Sequence, residues 1–532
     1  MKKFIKKTSA FLFSICTVFT TASSLTINSS AAPDEYHDDW LHVNENAEIV
    51  DMNGNPVWLT GCNWFGYNTG SQVFDGVWSL NMHEALNQIA DHGFNLLRVP
   101  MSTELILGWK NGDPDPMCKV NTYSNPELSV TGKEGGDPMY SFDIWNMAVK
   151  WCRENGIKIM MDIHSAETAS AGHQYPLWYT DKYSTEDWLE ALSWFADYYK
   201  DDDTLIAIDL KNEPHGKKDE GTFAKWDGST DDNNWRYAAE RGAEAVLKSN
   251  PNLLIMVEGI EVYPKFEEGS DWNTVGLDYS KPPYPYSNFH GTWWGGNFRG
   301  AKEFPVDLGE HQSQLVYSPH DYGPLVYEQS WFYDGFDQQS LMEDVWYDNW
   351  YYLQDEKIAP LLMGEWGGFI DEEHDKNGKN VQWMTALRDL MIEKRINHTF
   401  WCFNENSSDT GGLIKGGTNW TEWDEDKYDF VEPALWQNEK GQFISLDHKY
   451  PVGSNGISLS EYYNENPSQN DTLKGDVNKD GNVNVFDAVV LIKYLISDNT
   501  SIDTENSDFN NDGEINVADI TGLKQFLISH EN

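Results

Sequence analysis

Leu205-Ile206-Ala207-Ile208-Asp209-Leu210-Lys211-Asn212-Glu213-Pro214-His215-Gly216 opens as an apolar run and ends in polar side chains and a turn. A run of this length, rich in branched residues and stopped by proline and glycine, reads as a short strand buried on both faces. The same unit recurs along the chain. Apolar runs stand at 57–62, 95–99, 157–163, 205–210, 253–257, 314–318, 360–363 and 399–403. Between them, segments such as 82–92, 140–155, 186–199, 235–249 and 381–394 carry apolar residues at three- and four-residue spacing, the mark of amphipathic helices. Strands alternating with helices predict an α/β fold, a parallel (β/α)8 TIM barrel, with a doubly wound open sheet as the structural alternative.

Polar residues collect at the carboxyl ends of these runs: Arg98, His164, Asn212, Glu213, Glu258, His320, Tyr322, Glu365 and Trp401. In a barrel they would all lie on the one face where such folds build their sites. Glu258 reads equally well as a structural carboxylate or as a support for others. Trp64, Trp178, Trp293 and Trp294 either line sugar subsites or fill the core.

The chain has 532 residues, of which 39% are hydrophobic, enough for one large domain and something smaller. Its 86 acidic residues outnumber 38 basic ones, for a net charge of -48. That charge would repel phosphate, which argues against nucleic acid or an anionic membrane as partner and favours a neutral polymer or metal cations. The 24 tryptophans and 26 tyrosines suit stacking on sugar rings, though a large core also consumes them. Lys2, Lys3, Lys6 and Lys7, an apolar run over 10–19 and the small residues Ser29 to Ala32 read as a secretory leader, which implies a soluble extracellular protein. Beyond the leader, Cys62, Cys118, Cys152 and Cys402 are spaced too widely for a disulfide scaffold or a zinc motif and read as buried thiols.

Near the C-terminal end a twelve-residue loop, Asp476-Val-Asn478-Lys-Asp480-Gly481-Asn482-Val-Asn484-Val-Phe-Asp487, recurs as Asp508-Phe-Asn510-Asn-Asp512-Gly513-Glu514-Ile-Asn516-Val-Ala-Asp519. Oxygen-bearing side chains at alternate early positions and at the last, around a glycine at the sixth, are what a calcium loop requires. The candidate ligands are Asp476, Asn478, Asp480, Asn482 and Asp487 in the first loop and Asp508, Asn510, Asp512, Glu514 and Asp519 in the second. Each loop runs into an apolar helical stretch, 488–496 and 520–528. The pattern resembles a type I-like dockerin. That resemblance implies two calcium ions and, as partner, a cohesin domain of a scaffoldin in a cellulosome. Recognition would lie near Val485-Phe486 and Val517-Ala518, which are apolar, unlike the Ser-Thr pair of some dockerins.

Cleaving a glycosidic bond takes two carboxyl groups, one to protonate the departing oxygen and one to attack or assist at the anomeric carbon. Glu213 in Lys211-Asn212-Glu213-Pro214-His215-Gly216 and Glu365 in Gly364-Glu365-Trp366-Gly367-Gly368 follow the fourth and seventh runs, where glycines would let substrate approach closely. Either alone could be an idle loop carboxylate. Together with Leu97-Arg98-Val99-Pro100, Asp162-Ile163-His164-Ser165, Ser318-Pro319-His320-Asp321-Tyr322 and Phe400-Trp401, they resemble glycoside hydrolase family 5 across residues 36–452.

The resemblance implies that Glu213 is the acid/base and Glu365 the nucleophile of a retaining double displacement, with no catalytic cofactor. It further implies that Arg98 and Tyr322 orient Glu365, and that His320 meets Glu213 or the substrate. His164 and Asn212 would hold hydroxyls, and Trp401 would form a sugar platform. Endo-β-1,4-glucanase action on cellulose is the expected activity. Mannan, mixed-linkage glucan and xyloglucan share the catalytic groups and stay open, as does a barrel that binds carbohydrate without cutting it. The expected layout is a leader at 1–32, the catalytic barrel at 33–455, a linker at 456–472 and an all-α calcium-binding dockerin at 473–532.

Overall fold

A computed structural model describes residues 39–117, 119–283, 285–465, 474–478, 483–496, 500, 502–510 and 513–530. The leader, Cys118, much of the expected linker and the ligands Asp480, Asn482 and Asp512 lie outside the described residues.

All eight apolar runs become strands: β1 (Thr60–Asn63), β2 (Leu96–Ser102), β3 (Lys158–Ser165), β4 (Leu205–Asp209), β5 (Leu254–Val257), β6 (Leu315–Tyr317), β7 (Leu362–Trp366) and β8 (Asn397–Phe400). They form one 8-stranded sheet in the order β6-β5-β4-β3-β2-β1-β8-β7, every pairing parallel. Parallel bridges from Tyr317 to Leu361 and from His320 to Glu365 join β6 to β7 and close the barrel. The open-sheet alternative is thereby excluded.

Alternation along the strands sorts side chains into two layers. Leu96, Met160, Ala207, Leu254, Met256, Val316 and Leu362 share one buried cluster with Trp58, Trp436 and Ile444, which plugs the barrel interior. Leu97, Val99, Ile159, Met161 and Ile163, one position out of phase, belong to the layer beneath the helices. Two steps along from Leu96 and Met160, the inward positions hold Arg98 and Asp162, both fully buried. The interior therefore changes from hydrocarbon to charge toward the carboxyl ends of the strands.

The covering helices include Met82–Asp91, Ser141–Glu154, Thr185–Tyr198, Trp235–Leu247 and Lys379–Lys394. The start of Thr185–Tyr198 is fixed by a capping box in which Ser184 accepts from the Asp187 amide and Asp187 accepts from that of Ser184. Among the described residues, no α-helix joins β5 to β6. That stretch, interrupted by glycine and proline, instead makes antiparallel pairs, Val262–Pro264 with Phe289–Gly291 and Leu277–Asp278 with Tyr286–Ser287. A continuous helical stretch from Gln338 to Asp355 contains a π-helical segment, Met342–Tyr351.

The boundary expected at residue 456 is corrected. Ile457 bridges Ile444, Leu459–Glu465 is helical, and Leu459 is buried in the barrel's own core. Tyr462 meets Trp436 edge-on at 5.3 Å, and the Tyr463 hydroxyl donates to the Pro56 carbonyl. The surrounding Asn, Ser and Glu residues hid this apolar stripe. Further on, helices Val485–Ile496 and Val517–His530 share a small core of Val477, Ala488, Leu491, Ile520 and Leu523. Among the described residues, no helix is long and apolar enough to cross a membrane.

Beneath the barrel, at the start of β3, the buried Lys158 Nζ donates to Asp39 and Asp447 at 2.9 Å each. His448 bridges Asp39 and Asp51, the latter at 3.1 Å. Burial pulls the His448 pKa down, but hydrogen bonds to the two carboxylates outweigh it and push it up to about 9, from 6.5. Because the folded value is the higher one, this stability is fully present below pH 6.5 and is lost as pH rises through 9. Urea unfolding should therefore show wild type losing roughly 3 kcal/mol more than His448→Gln over that interval, and parallel pH curves would refute the assignment.

Candidate active site

Each strand end delivers one part of the site. β2 supplies Arg98, β3 Asp162 and His164, β4 Asp209 and the following Asn212-Glu213, and β5 Glu258 just beyond its last residue. His320 and Tyr322 follow β6, Glu365 lies within β7, and Trp401 follows β8.

Arg98 is the hub. Its Nη1 donates to Glu365 Oε1 at 2.8 Å and to Asn63 Oδ1 at 3.0 Å. Its Nη2 donates to Asp209 at 2.9 Å and to Asn212 Oδ1 at 3.0 Å, with Asp162 at 3.2 Å and Glu258 at 3.3 Å. Burial alone would lower its pKa, but Asp162, Asp209, Glu365 and Glu258 raise it well above the ordinary value, so the guanidinium is permanently charged. The second oxygen of Glu365 accepts from Tyr322 at 2.6 Å. Burial and the Glu365 charge hold that phenol protonated, as a donor must be.

Glu213 stands opposite. Its Oε1 lies 3.0 Å from His320 Nδ1, and His320 is in turn 3.7 Å from Glu365 Oε2. One carboxylate oxygen of Glu213, one ring nitrogen of His320 and one oxygen of Glu365 all fall within 4.8 Å of one another. Burial lowers the His320 pKa, but Glu258, Glu365 and Glu213 overcome that and raise it well above 6.5. Glu213 shows the reciprocal effect: burial raises its pKa, and the hydrogen bond and charge of His320 bring it below the usual glutamate range. The two opposed shifts place the proton on the His320–Glu213 pair.

His164 donates to or accepts from Asp162 at 2.6 Å, and burial lowers its pKa well below 6.5, so its ring is neutral. Trp401 lies nearly parallel to the His164 ring at 5.8 Å and to Phe65 at 5.5 Å, and is only partly buried. Asn212 is buried, and its Nδ2 has no hydrogen-bond partner among the described residues. An unsatisfied buried donor is costly unless a ligand meets it.

Every barrel residue named from the motifs enters this constellation. Asp162 and Asp209 stand within the quoted segments without a role, Glu258 is resolved as a support of the others, and Asn63 is the member that the motifs do not name. Trp64 and Trp178 are core residues, whereas Trp294 stacks on His215 at 3.7 Å. The glycine reading is also corrected: a Cβ on Gly364 would come within 2.7 Å of Ser318 Oγ and 2.8 Å of His320 Nε2. Gly364 therefore makes room for His320 and not for substrate.

In the C-terminal loops, Asp487 Oδ1 accepts from the Val477 and Asn478 amides and Oδ2 from Asn484, and Asp519 repeats the pattern with Asn510 and Asn516. Asp476, Asp487 and Asp519 are all buried. Several buried carboxylates in all-oxygen loops fit a hard cation.

A closed parallel barrel that brings two glutamates together beside a buried arginine, at the carboxyl ends of its strands, defines a glycoside hydrolase. Residues 50–407 match the cellulase family, glycosyl hydrolase family 5, and residues 474–528 match the dockerin type I domain. The chain belongs to glycosyl hydrolase family 5, as the motifs anticipated, and carries a type I dockerin domain after the barrel. Endoglucanase G of Acetivibrio thermocellus is 47% identical over 517 residues, covering 91% of this chain and 89% of the relative. Endoglucanase B of the same organism is 40% identical, covering 93% of each chain. Among solved structures, the hyperthermophilic endocellulase of Pyrococcus horikoshii aligns with a TM-score of 0.63 and 31% identity, over 75% of this chain and 98% of that one.

Proposed function

We propose that this protein is a secreted endo-β-1,4-glucanase that hydrolyses cellulose or a related β-glucan with retention of configuration. The observation that supports the mechanism is the approach of one Glu213 carboxylate oxygen and one Glu365 carboxylate oxygen to within 4.8 Å of each other. An inverting enzyme keeps its carboxyl groups about 6.5–9.5 Å apart to admit a water between them, and a retaining one keeps them about 5–5.5 Å apart.

In the first step Glu365, held by Arg98 and Tyr322, attacks the anomeric carbon while Glu213 protonates the departing glycosidic oxygen. A glycosyl ester forms on Glu365 as the C–O bond breaks. In the second step Glu213 takes a proton from water, whose oxygen attacks the same carbon and releases Glu365. The proton that Glu213 delivers comes from the pair it shares with His320, and the pair regains a proton from water in the second step. Asn212 Nδ2 and the His164 ring hold hydroxyls next to the cleaved bond, and Trp401 stacks on the sugar.

The substrate class rests on the relatives, which are endoglucanases, and on the related endocellulase having been solved with cellotetraose. Initial rates on carboxymethylcellulose, mannan and mixed-linkage glucan test it. Highest specificity for carboxymethylcellulose is expected, and mannan as the preferred polymer would overturn the glucanase reading.

The leader over 1–32 directs secretion, and the dockerin docks into a cohesin of a scaffoldin, placing the enzyme in an extracellular cellulosome. Calcium, when bound, supplies the cross-link that holds each loop closed. Among the described residues Asp476, Asn478 and Asp487, and Asp508, Asn510, Glu514 and Asp519, would hold it. A chelator should remove the helical signal of the dockerin and cohesin binding while leaving hydrolysis intact. Collapse of hydrolysis together with binding would contradict this modular arrangement.

A further inference from the structure

Glu258 is fully buried just past the end of β5, in contact with Arg98, His320 and the Glu213 backbone yet with no part in the chemistry so far. Its Oε2 accepts from the Glu213 backbone amide at 2.7 Å. Glu213 has φ +50°, a left-handed conformation that a glutamate adopts only when its surroundings impose it. The other oxygen, Oε1, lies 3.2 Å from His320 Nε2 and 3.3 Å from Arg98 Nη2. At 3.2 Å the Glu258 carboxyl and the His320 ring interact through charge.

A glycine makes this reach possible. A Cβ on Gly295 would stand 2.2 Å from Glu258 Oε2 and 3.5 Å from the Glu213 Cα. The segment across from β5 is thus shaped around the Glu258 carboxyl.

We propose that Glu258 is a positioning residue for Glu213: it fixes the backbone of the acid/base through one oxygen and, through the other, sets the charge of His320 and hence when Glu213 holds its proton. The proposal rests on the assignment of Glu213 as acid/base.

Other titratable groups face this cluster. Arg98, Asp209 and Lys211 lie around Glu258; His164 and His173 act on Glu213; Glu365 acts on His320. All remain in a Glu258→Gln variant, which also keeps an oxygen able to accept from the Glu213 amide. Burial raises the Glu258 pKa well above the usual glutamate range while the His320 and Arg98 cations at 3.2 and 3.3 Å favour its ionised form, and what glutamine removes is this ionisable carboxyl beside His320. Removing a negative neighbour lowers the pKa at which the His320–Glu213 pair gives up its proton, so the alkaline limb of activity moves toward lower pH.

The test measures kcat/KM against pH for wild type, Glu258→Gln and Glu213→Gln, on carboxymethylcellulose and on dinitrophenyl β-cellobioside. The dinitrophenolate leaves without a proton, so its release does not call on Glu213. For Glu258→Gln with an unchanged thermal melt, we expect about a tenfold or greater loss on the polymer, a smaller loss on the aryl substrate and an alkaline limb lower by about one pH unit. Equal losses on both substrates with an unmoved limb, or no loss at all, would overturn the role of Glu258. Glu258→Ala, which also deletes the acceptor for the Glu213 amide, should lose more on the polymer than Glu258→Gln, and equality would overturn the backbone half. If Glu213→Gln itself keeps wild-type activity on the polymer, the acid/base assignment fails. If Glu213→Gln shows the leaving-group dependence and Glu258→Gln does not, only the present inference fails.

Discussion

Replacing Arg98 by methionine is expected to destabilise the fold by roughly 3–5 kcal/mol and to abolish hydrolysis. The guanidinium is fully buried and touches Asp162, Asp209, Glu258 and Glu365 at 2.8–3.3 Å. Removing it leaves those carboxylates facing one another without their cation. Burial already raises Asp162 to about 7 and Asp209 to about 6. Their folded values exceed the unfolded one, so folded protein binds protons there and is penalised as pH rises through that range. The deficit of the variant should accordingly be smaller at pH 5 than at pH 8 in paired urea titrations. A pH-independent deficit would mean that packing, and not charge, is what Arg98 provides. Lysine should rescue poorly, because a compact ammonium cannot reach Asn63, Asp209, Asn212 and Glu365 at once.

Glu365→Gln should behave in the opposite way, folding normally while kcat on glucan falls by about 10⁴-fold or more. Glutamine retains an oxygen for Arg98 and removes one charge from a crowded set of carboxylates, so stability is preserved. What disappears is the nucleophile. Tyr322→Phe deletes only the 2.6 Å hydrogen bond to the same carboxylate and should cost far less, mainly in kcat. Steady-state kinetics alongside a thermal melt separates the cases. Glu365→Gln with wild-type turnover would sink the assignment.

The barrel was legible because parallel strands are buried on both faces, so each appears as a continuous apolar run that needs no pairing information. The connection from β5 to β6 was not, since its short antiparallel pairs depend on contacts between 262–264 and 289–291 that no local periodicity encodes. The helix Leu459–Glu465 was masked by polar neighbours, and its stripe gains meaning only against Trp436 and Pro56.

In the site, Glu213, Glu365, Arg98 and the two histidines stood out because charged or titratable side chains rarely end buried strands without cause. Asp209 was concealed inside its own apolar run, where an alternating inward position was the available signal. Glu258 was visible at a strand end but undecidable, because its role depends on the Glu213 amide, on His320 and on Gly295, which come from other parts of the barrel. The proton shared by His320 and Glu213 was illegible for the same reason, since carboxylates from three strand ends hold it there.

The most direct test of the central claim is to trap the intermediate with a 2-deoxy-2-fluoro-β-cellobiosyl fluoride and map the modified peptide by mass spectrometry. A single fluorocellobiosyl ester on Glu365 is the expected result. A label on any other residue, or an unlabelled enzyme that releases the α-anomer first from its natural substrate, would contradict it.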